Sequence, residues 1–146
     1  MKSQDFISCE NMPIIRIAPV CNGRIYVIPG HSADQLDLPL VERTASLLSK
    51  RSNKAARQLA QKHHSNLRTG EQPRFSVKYV SPTDKAEDVY LYILPLNDEK
   101  EISFENGTFV SAEEIEAEGH RYSEYLQKES GLLGMAAELW QDYKLP

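Results

Sequence analysis

The chain has 146 residues, of which 40% are hydrophobic and 26% are charged, close to the averages of globular domains. This composition argues against a disordered protein, and no apolar run reaches the roughly 18 to 20 residues that span a membrane. The formal net charge of −4 is uneven: residues 1–78 carry twelve Lys or Arg against six Asp or Glu, whereas residues 79–146 carry five against fifteen. The asymmetry favours either a basic face for an anionic ligand or two halves that neutralise each other in the fold.

The first residues, MKSQDFISCENMP, lack the apolar block of a signal peptide. We therefore expect a cytoplasmic protein without a membrane partner, and a flexible N-terminal segment over residues 1–13. Cys9 and Cys21 show neither metal-ligand spacing nor a CxxC pattern. They are expected to be reduced thiols without a metal-binding role.

Two β-rich runs, Ile14–Val20 and Arg24–Ile28, flank the dipeptide Asn22-Gly23. A type I′ turn needs two residues that tolerate positive φ, and Asn-Gly is the commonest pair that does. The sequence therefore predicts a β-hairpin. The next residues, up to Leu40, are predicted to form a loop with a short extended piece at Leu36-Asp37-Leu38.

The segment Val41–Leu67 has the periodicity of a single amphipathic helix with a basic polar face. At about 100° per residue, alanine and leucine side chains fall on one side and indicate a core-facing stripe. The opposite sector contains Lys50, Arg51, Lys54, Arg57, Gln58, Gln61 and Lys62. Gly70 is expected to end the helix because it is free to adopt the left-handed conformation.

Strands are predicted at Phe75–Val80 and at Val89–Leu94, and the second is apolar on both faces, as in a central strand. Ile102–Phe104 and Thr108–Val110 are expected to flank a tight turn. Ser111 and Glu114 have the spacing of a capping box, which predicts a short helix over Ala112–Glu118.

The C-terminal part is predicted to hold one or two helices, near Tyr122–Glu129 and Leu132–Tyr143. Gly131 and Gly134 are expected to mark a kink or a cap between them. An apolar stripe is predicted on the last helix, formed by Leu132, Met135, Ala136, Leu139, Trp140 and Tyr143.

Three local segments, in this order, resemble the Nudix family. Residues 36–39, LDLP, resemble the segment that leads from the family's hairpin into its signature box, and residues 56–62, ARQLAQK, resemble the helical half of that box, A-R-E-L-x-E-E. Residues 109–115, FVSAEEI, resemble the segment near the end of the fold. The resemblance implies an α/β fold with a mixed sheet sandwiched between helices, in a single domain over residues 14–146.

The sequence departs from the family where the resemblance places its metal ligands. In Nudix enzymes glutamates of this helix bind divalent cations that promote attack of water on a diphosphate. The matching positions here are Gln58, Gln61 and Lys62. Hard cations prefer carboxylate oxygens, and at an effective dielectric constant of about 20 a cation ~4 Å from another unit charge costs about 4 kcal/mol. We therefore expect no metal ion and no catalytic residue on this helix.

A basic helix face can instead contact phosphates directly, through ammonium groups and a guanidinium fork. The predicted ligand-binding residues are Lys50, Lys54, Arg57, Gln58, Gln61 and Lys62. The leading interpretation is a non-catalytic binding, regulatory or interaction module for a phosphorylated small molecule or a protein partner, with no cofactor. The alternative is an active hydrolase of a nucleoside diphosphate derivative that holds Mg²⁺ with carboxylates from elsewhere. A solvated charged face without a ligand also remains open.

Other candidate residues favour structural roles. His63 and His64 are adjacent, so their side chains diverge by about 100° on a helix and do not converge on one ion. Four aromatic residues could stack a base, although a core role is favoured: Phe75, Tyr79, Tyr90 and Tyr92. The acidic second half and the pI near 5.6 argue against nucleic acid as a partner. Nothing in the sequence indicates the oligomeric state.

Overall fold

The structure, a computed structural model, describes residues 13–30, 35–44 and 52–143, with side chains up to residue 139. The strands are β1 (Ile14–Cys21), β2 (Arg24–Pro29), β3 (Leu36–Asp37), β4 (Leu40–Arg43), β5 (Arg74–Val80), β6 (Asp88–Pro95) and β7 (Thr108–Val110). The helices are α1 (Ser52–Lys62), α2 (Ala112–Ala117) and α3 (Glu124–Tyr143), with 3₁₀ turns at Glu99–Glu101 and Gly119–Arg121.

The strands form one mixed sheet with β1 near its centre. β1 runs antiparallel to β2 and β4 along one edge and parallel to β6 along the other. Within the described residues the order is β3-β2-β1-β6-β5, with β4 paired to β1 and β7 paired to β2. The prediction of a central strand at Val89–Leu94 is confirmed, because β6 is paired on both sides.

The predicted hairpin is present, and its turn has the expected backbone. Asn22 and Gly23 have φ values of 53° and 77°, both in the left-handed region that favours Asn and Gly. The turn joins Cys21 directly to Arg24, which are paired across the two strands.

Helices cover both faces of the sheet, and this explains why all eight residues of β1 are buried. Alternate side chains enter two separate cores. Ile15 and Ile17 pack on the α1 side with Leu59 and Tyr92. Ala18 and Val20 pack on the α2 and α3 side, where Leu126 contributes from α3. The predicted α/β class, with a mixed sheet sandwiched between helices, is thus confirmed.

The prediction of one helix over Val41–Leu67 is wrong at both ends. The helix ends at Lys62, and Gly70 does not adopt the left-handed conformation expected of it. Leu40–Arg43 form β4, which pairs with Ile14–Ile17 of β1. The residues 45–51 of this prediction lie outside the described part of the chain, and α1 begins at Ser52. Leu40 is fully buried whereas Val41 is 42% exposed, so the alternation of a strand prevails over the helical period here.

The tight turn predicted after Ile102–Phe104 is present, since the Gly107 amide donates a hydrogen bond to the Phe104 carbonyl at 3.2 Å.

The predictions for the C-terminal region need correction. The C-terminal region is one continuous helix, α3, without a break at Gly131 or Gly134. Its predicted apolar stripe is right at Leu132 and Ala136, which pack against the core, and wrong at Met135 and Leu139, which are 70% and 52% exposed. The side chains of Trp140 and Tyr143 lie outside the described residues. The buried positions on α3 are Leu126, Glu129, Ser130, Leu133 and Ala137.

The capping box is confirmed: the Ser111 hydroxyl accepts from the Glu114 amide, and the Glu114 carboxylate accepts from the Ser111 amide.

Of the predicted flexible segment 1–13, only Pro13 lies in the described residues, and its carbonyl accepts a hydrogen bond from the Thr44 amide at 3.1 Å. No helix in the described residues is long and apolar enough to cross a membrane.

Candidate functional site

Helix α1 is held against the sheet by small and apolar side chains spaced three or four residues apart. Ser52, Ala56 and Leu59 are its buried residues. The Tyr92 hydroxyl anchors the first turn, lying 2.7 Å from both the Ser52 hydroxyl and the Asn53 side-chain oxygen. Burial raises the pKa of Tyr92, which therefore remains a neutral hydrogen-bonding group.

The exposed side of α1 borders two clefts rather than one. A cleft of about 190 Å³ lies between α1 and the segment 67–73 that follows it. Arg57, Gln61 and His64 line this cleft from the α1 side, and Thr69 and Glu71 line it from the other side. Leu67 and Leu94 are its buried apolar lining residues. We call it the Arg57 cleft.

The second cleft lies on the opposite flank of α1, towards β4. It has a volume of about 120 Å³ and is lined by Gln58 and Lys62 together with Glu42 and Thr44. The Lys62 ammonium lies 3.6 Å from a Glu42 carboxylate oxygen, and both side chains are largely exposed. An acid therefore already partners the cation of this second cleft.

The structure thus divides the predicted ligand-binding set. Arg57 and Gln61 share one cleft, and Gln58 and Lys62 share the other. Lys54 is exposed and lines neither cleft. Lys50 lies outside the described residues. The division follows from helix geometry, because residues i and i+4 lie on the same flank whereas i and i+1 diverge.

The Arg57 cleft offers hydrogen-bond donors suited to an anion. The guanidinium of Arg57 presents a planar fork of N–H groups, and the amide of Gln61 adds a neutral donor. The Nδ1 atom of His64 lies 3.2 Å from the Gln61 carbonyl oxygen, a distance that permits a hydrogen bond in the Nδ1–H tautomer. The Glu71 carboxylate, an acceptor, lies 3.3 Å from the Arg74 guanidinium.

His64 and the segment 67–73 were missed as site residues by sequence reasoning. The two histidines do diverge as expected: the His63 ring lies 5.8 Å from the Phe104 ring, whereas His64 lines the Arg57 cleft. Tyr90 and Tyr92 are buried in the core, as favoured, while Phe75 is 50% exposed. One feature of the sequence points to residues 67–73. They follow α1 closely, and a chain that turns after a helix can return beside that helix.

A buried ionic cluster occupies the opposite face of the sheet. Arg16 of β1 is 1% exposed, and its Nε and one terminal nitrogen each lie 2.8 Å from a carboxylate oxygen of Glu129. Asp37 accepts from the same guanidinium at 2.9 Å. The Tyr79 hydroxyl donates to Glu129 at 2.6 Å, and the Tyr125 ring lies 4.7 Å from the guanidinium carbon. This cluster joins α3 to the sheet.

The charges of this cluster stabilise one another. Burial alone would lower the pKa of Arg16, but the carboxylates of Glu129 and Asp37 raise it, and Arg16 stays charged. Burial, followed by the charge of Glu129, raises the pKa of Tyr79. The carboxylates of Glu129 and Asp37 are engaged within the cluster, which therefore serves packing rather than ligand binding.

Comparison with known proteins places this geometry in a structural class. No family model and no curated protein matches the sequence. The C. elegans Ap4A hydrolase superposes with a TM-score of 0.57 at 13% identity, covering 88% of this chain and 98% of that one. DR0079 of Deinococcus radiodurans has a TM-score of 0.55 at 16% identity, covering 99% and 90%. A Clostridium perfringens NUDIX-family hydrolase has a TM-score of 0.53 at 13% identity, covering 92% and 99%.

The chain has a Nudix-like fold. Within it, α1 carries the segment that resembles the helical half of the Nudix box. Its exposed side presents amides and cations where the resemblance implies glutamates, namely Gln58, Gln61 and Lys62. An ammonium repels a divalent cation, and neutral amides are weaker ligands for it than the carboxylates that Mg²⁺ prefers. In the described part of the chain no group of three His, Cys, Asp or Glu side chains could hold a metal ion.

Proposed function

We propose that this Nudix-like chain is a non-catalytic module that binds a phosphorylated small molecule in the Arg57 cleft. The observation that carries the proposal is the pairing of Arg57 and Gln61 on one flank of α1, facing a cleft with Leu67 and Leu94 in its lining. Two donors on one side of a concave site can hold a phosphate, and an apolar lining can contact the rest of the ligand. Cytoplasmic localisation stays a prediction.

Electrostatics support this cleft over its neighbour. No acid among the described residues forms an ion pair with Arg57, whereas Lys62 in the second cleft has Glu42 at 3.6 Å. The Lys62–Glu42 pair is exposed and weak, but a phosphate arriving at Lys62 would still have to exchange with that carboxylate, whereas Arg57 has no such partner to lose among the described residues. The Arg57 cleft also contains a carboxylate, that of Glu71, but it is already paired with Arg74 at 3.3 Å. Arg57 is therefore the better anchor for an anion.

The competing function is metal-dependent hydrolysis, and one observation favours it. Glu71 places a carboxylate in the same cleft as Gln61 and His64. That carboxylate lies 3.3 Å from the Arg74 guanidinium, however, so a metal ion would compete with an existing cation. A single carboxylate is also at the lower end of the one or two that Mg²⁺ sites ordinarily use beside water and substrate phosphates.

Calorimetric titration of three probes tests the binding proposal: inorganic pyrophosphate, ADP and glucose 6-phosphate. At least one should bind, and Arg57→Ala should weaken that binding about tenfold or more, because a charge-assisted bidentate contact contributes about 1.5–3 kcal/mol. Lys54→Ala is the matched control, since it removes the same charge from the same helix but outside the cleft.

The Lys54→Ala control distinguishes the loss of a contact in the cleft from the loss of general positive charge on α1. Lys54→Ala should change the affinity less than about twofold, as expected for a screened surface charge. Equal losses in the two variants would mean that the basic face acts diffusely, and this would overturn the cleft assignment. Absence of binding by all three probes would reject the proposal for phosphate ligands.

A further inference from the structure

Strand β5 forms an edge of the sheet within the described residues. It pairs with β6 on one side, and no described strand pairs with its other side. A β-bulge between Phe75 and Val77 divides its ladder with β6 into a short part at Arg74–Phe75 and a longer one at Val77–Val80. An edge of this kind presents backbone N–H and C=O groups to which an extended segment can pair.

A groove runs beside this edge on the α3 side. It has a volume of about 190 Å³ and is lined mainly by apolar groups, from Val77, Tyr79, Leu91 and Leu132. Lys128 and Glu129 complete the lining. Next to the groove, α3 continues with Met135, which is 70% exposed. Side chains of an added strand that point to this face would enter an apolar groove.

The α1 side of the same edge differs because it carries a charge. Phe75 and Lys78 line a cavity of about 320 Å³ with Tyr90 and the first residues of α1. The Lys78 ammonium lies 5.6 Å from the Tyr90 ring centroid and 3.7 Å from an Asp88 carboxylate oxygen. Both members of that ion pair are about half exposed, so the pair is weak and can be exchanged for another carboxylate.

The charges distinguish between possible occupants of the edge. β5 contains two cations, Arg74 and Lys78, and no acid. Lys128 adds a third, and its ammonium donates to the Val80 carbonyl at 3.1 Å. Pairing with β5 of a second copy would bring two such sets of cations together, which costs free energy. An acidic segment would complement them.

We propose that the β5 edge binds an extended segment of another protein in which apolar side chains alternate with acidic ones. In a β-strand, successive side chains point to opposite faces, so one set would enter the α3-side groove and the other would meet Lys78. The main-chain pairing would supply affinity and the alternation would supply specificity.

A capped peptide of three Glu-Val repeats is the probe for this surface. In ¹⁵N NMR spectra of the full chain, the peptide should shift the amide signals of Val77–Val80 and Leu132. Two control peptides, with Lys-Val and Glu-Ser repeats, should bind at least about tenfold more weakly. The first lacks the acidic side chains that would meet Lys78, and the second lacks the apolar side chains that would enter the groove.

The protein variants test the charge. Lys78→Glu should weaken binding of the Glu-Val peptide about tenfold, and it should fold because the side chain is exposed. Lys100→Glu makes the same charge reversal at an exposed lysine outside β5 and its groove, and it should bind as the wild type does. Equal binding of all peptides, shifts that avoid β5, or a β5-mediated dimer in sedimentation experiments would each overturn the proposal.

Discussion

Arg16 shows how a single residue fixes the position of a whole helix. It lies in the middle of β1 with 1% of its surface exposed, and its charge is balanced by Glu129 of α3 and Asp37 of β3. Burying an ion costs several kcal/mol unless partners and hydrogen bonds compensate. Here the bidentate contact with Glu129 compensates only when α3 is docked in one register.

Breaking this pair should destabilise the protein strongly. We expect Glu129→Leu to lower the free energy of unfolding by about 3–5 kcal/mol, because it leaves a buried guanidinium short of a counter-charge. The double variant Arg16→Met, Glu129→Leu should lose less than Glu129→Leu alone, since neither charge then remains buried without its partner. Urea unfolding measures both values.

An exposed pair provides the control. Arg121 and Glu118 lie 2.8 Å apart at about half exposure, and Arg121→Ala should cost less than about 1 kcal/mol. If Glu129→Leu cost as little as Arg121→Ala, the Arg16 cluster would not be a determinant of stability.

The contacts of single residues with distant parts of the chain are what the sequence predicts least well. The run IIRIAPV shows an arginine among apolar residues, but its main partner lies 113 positions away and no local pattern points to it. The helical period of α1, by contrast, is local, but it predicted one basic face and did not separate the cleft of Arg57 and Gln61 from that of Gln58 and Lys62. Residues 67–73, which complete the cleft, depend on how the chain returns to β5, and no helical period describes that.

Among the elements, the interface of α2 and α3 depends on a glycine. A Cβ atom at Gly134 would lie 2.8 Å from the Cβ of Ala112, closer than methyl groups approach, so the glycine allows the two helices to touch. At Gly131, on the same helix, a Cβ atom would meet nothing within 4 Å. The two glycines therefore differ in role although both are helical.

Alanine substitutions should separate these roles. Gly131→Ala should stabilise the protein by up to about 1 kcal/mol, because alanine is the better helix former and no contact opposes it. Gly134→Ala should lose that gain or become destabilising, because α2 must shift. Thermal unfolding of the two variants checks this; equal stabilisation would mean that the helices are not in close contact.

The element boundaries explain which parts of the fold were predictable. The β1–β2 hairpin and the capping box of α2 are encoded by two to four adjacent residues, so both were found. The segment Leu40–Arg43 was divided between two predicted elements, with Leu40 in a loop and Val41–Arg43 at the start of a helix, because so short a segment fits either period. The structure makes it a strand because its backbone pairs with Ile14–Ile17, a contact that the local sequence does not contain.

In the whole molecule, the basic and acidic halves of the sequence face each other. Among the residues that the structure describes, four ion pairs join residues 1–78 to residues 79–146: Arg16–Glu129, Arg24–Glu99, Arg43–Glu87 and Lys78–Asp88. Much of the charge asymmetry is therefore neutralised across the fold. No such pair among the described residues involves Lys54 or Arg57, so α1 keeps a local positive charge on a Nudix-like scaffold.

The central claim is that this scaffold holds a phosphorylated ligand without cleaving it. ³¹P NMR of ADP and ADP-ribose with Mg²⁺ follows binding and hydrolysis in the same sample. We predict that the protein broadens or shifts the ligand resonances, that Arg57→Ala largely abolishes this effect, and that no monophosphate product forms. Mg²⁺-dependent appearance of AMP or phosphate, lost in Glu71→Gln, would contradict the account and assign the chain to the hydrolases.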